Sequence, residues 1–224
     1  MVVLFILGGI QGAIGWIMVA SGLVPEKFFV GHVELATHFI AALGLLSYTL
    51  WFALSLLIKP QQRVVNPALQ KLMVAIVVVL IVQLTYGAFM AGLKAAISAP
   101  TWPDINGSMV PEGMNELTPW AKNLVNNNIT IHFIHRGLAY LLFILIAAWW
   151  FKARAINNNP LFNRLRFIVL LLVFLQLILG IVTVLNATYS SRLVVFGVLH
   201  QCVAMLLLMS VVTLLYVLRK KPAM

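Results

Sequence analysis

QLILG at Gln176–Gly180 sits within a long apolar run, and the same Gln-x-x-x-Gly spacing recurs as QLTYG at Gln83–Gly87 and as QGAIG at Gln11–Gly15. After each copy comes a further apolar stretch with a histidine near its start: His200, His135 and His38 respectively. A pattern repeated three times reads as a helix pair used three times. An internal repeat fixes both the architecture and which positions are equivalent. Here it makes a set of three scattered histidines.

Composition supplies the solvent. Of the 224 residues 62% are hydrophobic and only 9% charged, far from a soluble globular chain. A hydrocarbon layer about 30 Å thick needs roughly 20 apolar residues per helix. Six stretches meet that length, at about residues 1–24, 33–58, 69–95, 129–152, 164–187 and 193–219. A strand barrel would show short alternating segments instead. The fold class is therefore all-α, a polytopic membrane bundle of six helices built from repeated pairs.

The net charge of +10 could indicate nucleic acid, but its placement indicates topology. If the helices alternate, Lys59, Arg63, Lys71, Lys152, Arg154, Arg164, Arg166, Arg219, Lys220 and Lys221 share one side. Glu26, Glu34, Asp104, Glu112 and Glu116 share the other, with only Lys27, Lys94, Lys122, Arg136 and Arg192 among the basic residues. The positive-inside rule then places both termini in the cytoplasm and assigns no nucleic-acid partner. Trp149 and Trp150, just before Lys152, suit an inner interfacial belt. The first helix lacks the basic start of a signal peptide and is too long for one. Cys202 is the single cysteine, so no intramolecular disulfide forms.

The inner connections are short and basic, with Pro60, Pro67 and Pro160 expected as helix stops. The outer segment, about 97–128, differs. Its turn formers and interfacial aromatics, including Trp102, Pro103, Gly107, Pro111, Gly113 and Trp120, predict a lid on the membrane surface.

At 1.5 Å per residue, His38, His135 and His200 fall in one layer, roughly 8–10 Å below the outer boundary. One intramembrane histidine could be a packing residue. Three at matched depth and repeat position mark function, because ionisable groups in lipid are costly. Zinc would need further ligands that this depth does not supply. Haem iron needs two axial imidazoles from facing helices, and a bundle can hold the flat ring between them. The glycines would allow close approach of a ring or simply of a helix, and the glutamines could bond a polar haem edge. Arg136 could pair with a haem propionate or snorkel to the interface. His132, three residues before His135, could be an alternative ligand, a proton carrier, a propionate partner or only a polar interfacial residue. His32, ahead of its helix, is read as solvated.

These residues carry a resemblance. QGAIGWIMVASGL from Gln11, LATHF around His38, QLTYGAFMAGL from Gln83, TWPDINGSMVP from Thr101, HFIHRGLAY from His132, QLILGIVTVL from Gln176 and LHQ at Leu199–Gln201 closely resemble, in order and nearly end to end, the haem A synthase family. The resemblance implies eight helices in two four-helix halves, the first holding the substrate haem and the second a bis-histidine haem b. It assigns His135 and His200 to haem b and His38 to the substrate half, making these three the iron ligands; Arg136 and His132 remain accessory cofactor candidates. It implies oxidation of the C8 methyl of haem O to the formyl of haem A, for cytochrome oxidase biogenesis, with water supplying the oxygen. The chemistry would be the cofactor's and its orientation the protein's.

The family's E-x-x-H-R hairpin, whose glutamate is thought catalytic, is not in this sequence, so no catalytic residue is assigned. Nor are the outer-loop cysteine pairs of some members. The expected division is 1–58 as the second hairpin of the first half, 59–68 as an inner linker, 69–219 as the haem b half with outer loop 97–128, and 220–224 as an inner tail. By ligand count the chain as given is expected to bind about one haem and not to make haem A alone. The implied setting is a bacterial plasma membrane, or the mitochondrial inner membrane in a eukaryote. Partners would be haem O, the lipid bilayer, and haem O synthase, oxidase assembly proteins or a second copy. The competing readings are a b-type cytochrome that carries electrons and a haem-binding oxidase assembly factor without catalysis.

Overall fold

The computed structural model describes residues 2–219; the expected basic residues Lys220 and Lys221, the tail 220–224 and the start of the first stretch at Met1 lie outside them. The described chain forms seven α-helices: α1 (Val2–Ala20), α2 (His32–Leu57), α3 (Pro67–Gly92), α4 (Asn123–Asn126), α5 (Asn128–Ala153), α6 (Pro160–Leu185) and α7 (Ser190–Val217). All but α4 are long and apolar enough to cross a membrane, so the six expected spans are present. Extended pairing among the described residues is limited to two isolated bridges, Val24 with Lys27 and Ile105 with Ser108.

Pro60 lies three residues past the end of α2 at Leu57, as expected of a stop, but Pro67 and Pro160 act at the opposite helix end. Pro67 and Pro160 are the first residues of α3 and α6, and Pro60 opens a single 3₁₀ turn, Pro60–Gln62. A proline has no N–H to lose at a helix start and its fixed φ suits the first turn. Asn66 and Asn159 cap the orphan donors, their side-chain oxygens accepting from Leu69 N and Phe162 N at 3.0 and 2.9 Å. Asn-Pro therefore reads as start, and α3 and α6 begin two and four residues earlier than their apolar runs suggest. At the start of α5 Asn127 caps in the same way, accepting from Ile129 N and Thr130 N.

Helices α2, α3, α5, α6 and α7 close a ring in which each packs on its neighbour, α7 returns to α2, and α3 also touches α7. Helix α1 lies outside, packed chiefly on α2, with no buried residue. The core fills the inner part of the ring with Met73, Ile76 and Leu80 from α3, Leu142 and Ile146 from α5, and Leu207, Val211 and Leu214 from α7. Trp149 belongs here rather than to an interfacial belt. It is fully buried, and its Nε1–H donates to Leu69 O at 3.0 Å. The indole's polar edge finds a helix-terminal carbonyl, so its large apolar body can be sealed inside. Trp150 remains partly exposed.

The outer part of the ring is packed differently. Residues 133–141 of α5, 174–185 of α6 and 190–203 of α7 include no buried residue. His135 and His200 lie in this less buried part.

Candidate functional site

The repeat becomes a repeated contact. Gln11 Nε2 lies 3.1 Å from His38 Nδ1, Gln83 Nε2 3.5 Å from His135 Nε2, and Gln176 Nε2 3.1 Å from His200 Nε2. The glycine four residues on lies beneath the same ring. A Cβ built on Gly15, Gly87 or Gly180 would stand 2.9, 3.3 or 3.1 Å from Cε1 of its histidine, tighter than ordinary van der Waals contact. Gly15, Gly87 and Gly180 each lie five residues before the end of their helix, at Ala20, Gly92 and Leu185. The i, i+4 spacing puts glutamine and glycine on one helix face. One helix thus offers an amide and a bare backbone, and its partner offers an imidazole to fill them.

Two of the three modules meet. The rings of His135 and His200 have centroids 6.5 Å apart at an interplanar angle of 72°. An imidazole nitrogen sits roughly 2 Å from a bound metal and about 1 Å from its ring centre, so two rings on one ion have centroids roughly 6 Å apart. The spacing fits a pair of axial ligands. Nδ1 of both rings is buried without a hydrogen-bond partner. Among the described residues no group of three or more His, Cys, Asp or Glu could hold a metal ion. His38 has its own glutamine and glycine and shares no ring contact with the other two.

His132 and Arg136 form a second cluster. His132 is fully buried rather than interfacial, and its Nε2 accepts from Arg136 Nε at 3.0 Å. That bond fixes the proton of a neutral His132 on Nδ1, which is buried without a partner. The Arg136 guanidinium also donates to the carbonyl oxygens of Thr101, Pro103 and Asp104. It pins the outer loop to α5, and a haem propionate would have to compete with those carbonyls. Thr130 Oγ1 donates to Met114 O and Trp102 Nε1 to Tyr140 OH, adding two further pins. The lid expected at 97–128 is thus a folded cap. Within it Asn106 and Gly107, with φ of 53° and 87°, make the tight turn between the bridged Ile105 and Ser108. Asp104 Oδ1 accepts from Gly107 N, and that bond holds the carboxyl below its ordinary pKa.

His32 corrects another expectation. It opens α2, stands edge-on to Phe89 at 5.9 Å, and has Nε2 buried, so it packs between α2 and α3 instead of facing solvent. Sequence reasoning also missed the partners of the glutamines, which face histidines. The signal was present, since each glutamine and its histidine belong to consecutive spans at similar depth.

Fold and site together define a polytopic membrane helix bundle in which two histidines from different helices stand ring to ring. Residues 1–212 match the family model COX15-CtaA, described as cytochrome oxidase assembly protein, and the chain belongs to that family. A protein of Bradyrhizobium diazoefficiens named Heme A synthase is 38% identical over 208 residues, covering 92% of this chain and 56% of that protein. Namesakes from Rhizorhabdus wittichii and Parvibaculum lavamentivorans are 38% and 34% identical, covering 93% and 88% of this chain and 58% of each relative. The chain thus spans a little over half the length of the curated relatives it matches. No solved structure matches it. Six apolar spans and bacterial relatives make it an integral protein of the plasma membrane.

Proposed function

We propose that this chain serves in the oxidation of the C8 methyl group of haem O to the formyl group of haem A, as an oxidoreductase of cytochrome oxidase biogenesis. The observation that carries the reading is the pair His135 and His200, 6.5 Å apart, each seated against a glutamine and a glycine. These two would hold a haem b, and His38 would face the substrate haem. When bound, haem b would supply electron transfer; the chain's own residues orient the rings and keep water from the layer. The inner core seals that layer from one side. The cap pinned by Arg136 covers it from the other.

The domain reading follows the same division, with 1–58 as a hairpin of the substrate half, 59–68 as a linker and 69–219 as the haem b half. We place both termini in the cytoplasm because the basic residues collect at one set of helix ends. A phosphatase fusion at Gly107 should then be active and one at Pro67 inactive.

The enzyme reading is tested by expressing the gene that encodes this chain in a bacterium that makes haem O but not haem A. With an added segment carrying the family's E-x-x-H-R hairpin, haem A should appear in pigment extracts and disappear with His135→Ala or His200→Ala, whereas the 224 residues alone should give a b-type spectrum and no haem A. A b-type spectrum with no haem A from the extended chain would favour the electron carrier or assembly factor instead.

A further inference from the structure

His132 is fully buried, and nothing in the function proposed above uses it. Its neighbour fixes its chemistry. A guanidinium only donates and keeps its charge, so the 3.0 Å contact from Arg136 Nε makes Nε2 of His132 the acceptor. The ring is then neutral, with its proton on Nδ1. That N–H is buried without a partner. Folded proteins rarely leave a buried donor unmet, so this one points to an acceptor on a ligand.

The surroundings say what kind of acceptor. Arg136 gives N–H groups to the carbonyl oxygens of Thr101, Pro103 and Asp104 as well as to His132, and all four partners are uncharged. None of these bonds cancels the positive charge that stands beside the imidazole. The carboxylate of Asp104 accepts from Gly107 N instead. An N–H donor next to a positive charge favours an anionic acceptor, and a carboxylate makes the stronger, charge-assisted bond. Haem carries carboxylates in one place only, the two propionates on one edge of an otherwise apolar ring. His132 precedes His135 by three residues, so the two are neighbours on one helix face, with His132 nearer the start of α5.

We propose that His132 is a positioning residue that donates its Nδ1–H to a propionate carboxylate of the haem held by His135 and His200. Arg136, a propionate candidate from sequence, instead holds the His132 tautomer and the cap. The proposal rests on haem binding by His135 and His200. Two axial ligands leave a ring free to turn about the line that joins them. A donor placed off that line sets the angle.

The test titrates purified protein with haem b and with its dimethyl ester, which keeps the ring and the iron and has no carboxylate. Parent, His132→Leu, His132→Asn and His132→Gln are compared, and the quantity read is the ratio of the two affinities. Asparagine carries an N–H as far from the backbone as Nδ1, whereas the glutamine amide reaches as far as Nε2 and can still accept from Arg136. The parent should prefer haem b at least roughly tenfold, which is about 1.4 kcal/mol. Leucine and glutamine should erase that preference while ester binding stays unchanged, and asparagine should retain it. If His132→Leu does not fold, the contrast between asparagine and glutamine decides. Retention by glutamine with loss by asparagine would assign His132 only to the bond with Arg136 and overturn the proposal. Equal behaviour of the two variants, or a preference that His132→Leu leaves intact, also overturns it. A parent without a low-spin haem b spectrum would sink the haem reading and this proposal together; a parent that shows that spectrum and binds haem b and the ester equally sinks this proposal alone.

Discussion

The hairpins α1–α2 and α6–α7 carry the same three residues, glutamine, glycine and histidine, packed together, yet only the second faces another copy of that arrangement. His200 meets His135 at 6.5 Å, whereas His38 stands on an outlying pair whose first helix buries nothing. On the function proposed above, the module is half a site. Glutamine and glycine orient one imidazole, and only the ring closure that brings α5 against α6 and α7 supplies the second.

The largest effect that would break this contrast is on haem content. His135→Ala should abolish the b-type haem, while His38→Ala should leave its amount and spectrum in place, as measured by pyridine haemochrome on purified protein. Equal losses from both would mean that the outlying module belongs to the same site.

The inner core should be indifferent to the contrast. Trp149→Ala removes a fully buried indole and its bond to Leu69 O, and large aromatic deletions cost about 3–5 kcal/mol. Thermal unfolding in detergent should shift downward by similar amounts with and without haem. A shift confined to the haem-loaded form would place Trp149 in the site rather than beneath it.

Overpacking sharpens the contrast. A side chain at Gly180 must displace the His200 ring, and such changes cost about 1–3 kcal/mol. Gly180→Leu should lower haem b affinity at least roughly tenfold, which is about 1.4 kcal/mol. Gly15→Leu crowds His38 as closely and should leave haem b affinity unchanged in the same titration.

Much of this was legible in the sequence, for identifiable reasons. Six spans follow from apolar length alone, because lipid forces every backbone group into a helix. The histidine set followed from the repeat, which is visible without any coordinates. The helix starts at Pro67 and Pro160 were misplaced because proline was read as a stop and the preceding asparagine was not read as a cap. Trp149 was assigned to a belt because its neighbour Trp150 and Lys152 suit one, and helix phase alone does not say which tryptophan turns inward. The burial of His132 depends on Arg136 and on the loop carbonyls more than 30 residues away in sequence. Ring pairing is tertiary too: periodicity gives three equivalent histidines, but the order in which helices close decides which two meet.

The smallest effect concerns the cap. The bond from Gly107 N depresses the Asp104 pKa, so its contribution is present above the ordinary carboxylate pKa and is lost as pH falls through the depressed one. Protease sensitivity of the 97–128 loop should be flat at neutral pH and rise only in acid, below the ordinary carboxylate range. Asp104→Asn should remove that step without altering haem content. A step near neutral pH would implicate a histidine instead.

The central claim is that one iron is held by His135 and His200, and EPR of the oxidised, purified protein tests it most directly. The account predicts a low-spin ferric signal of bis-imidazole type that His200→Ala converts to high spin or abolishes, with His38→Ala indistinguishable from the parent. A low-spin signal that survives His200→Ala would contradict it.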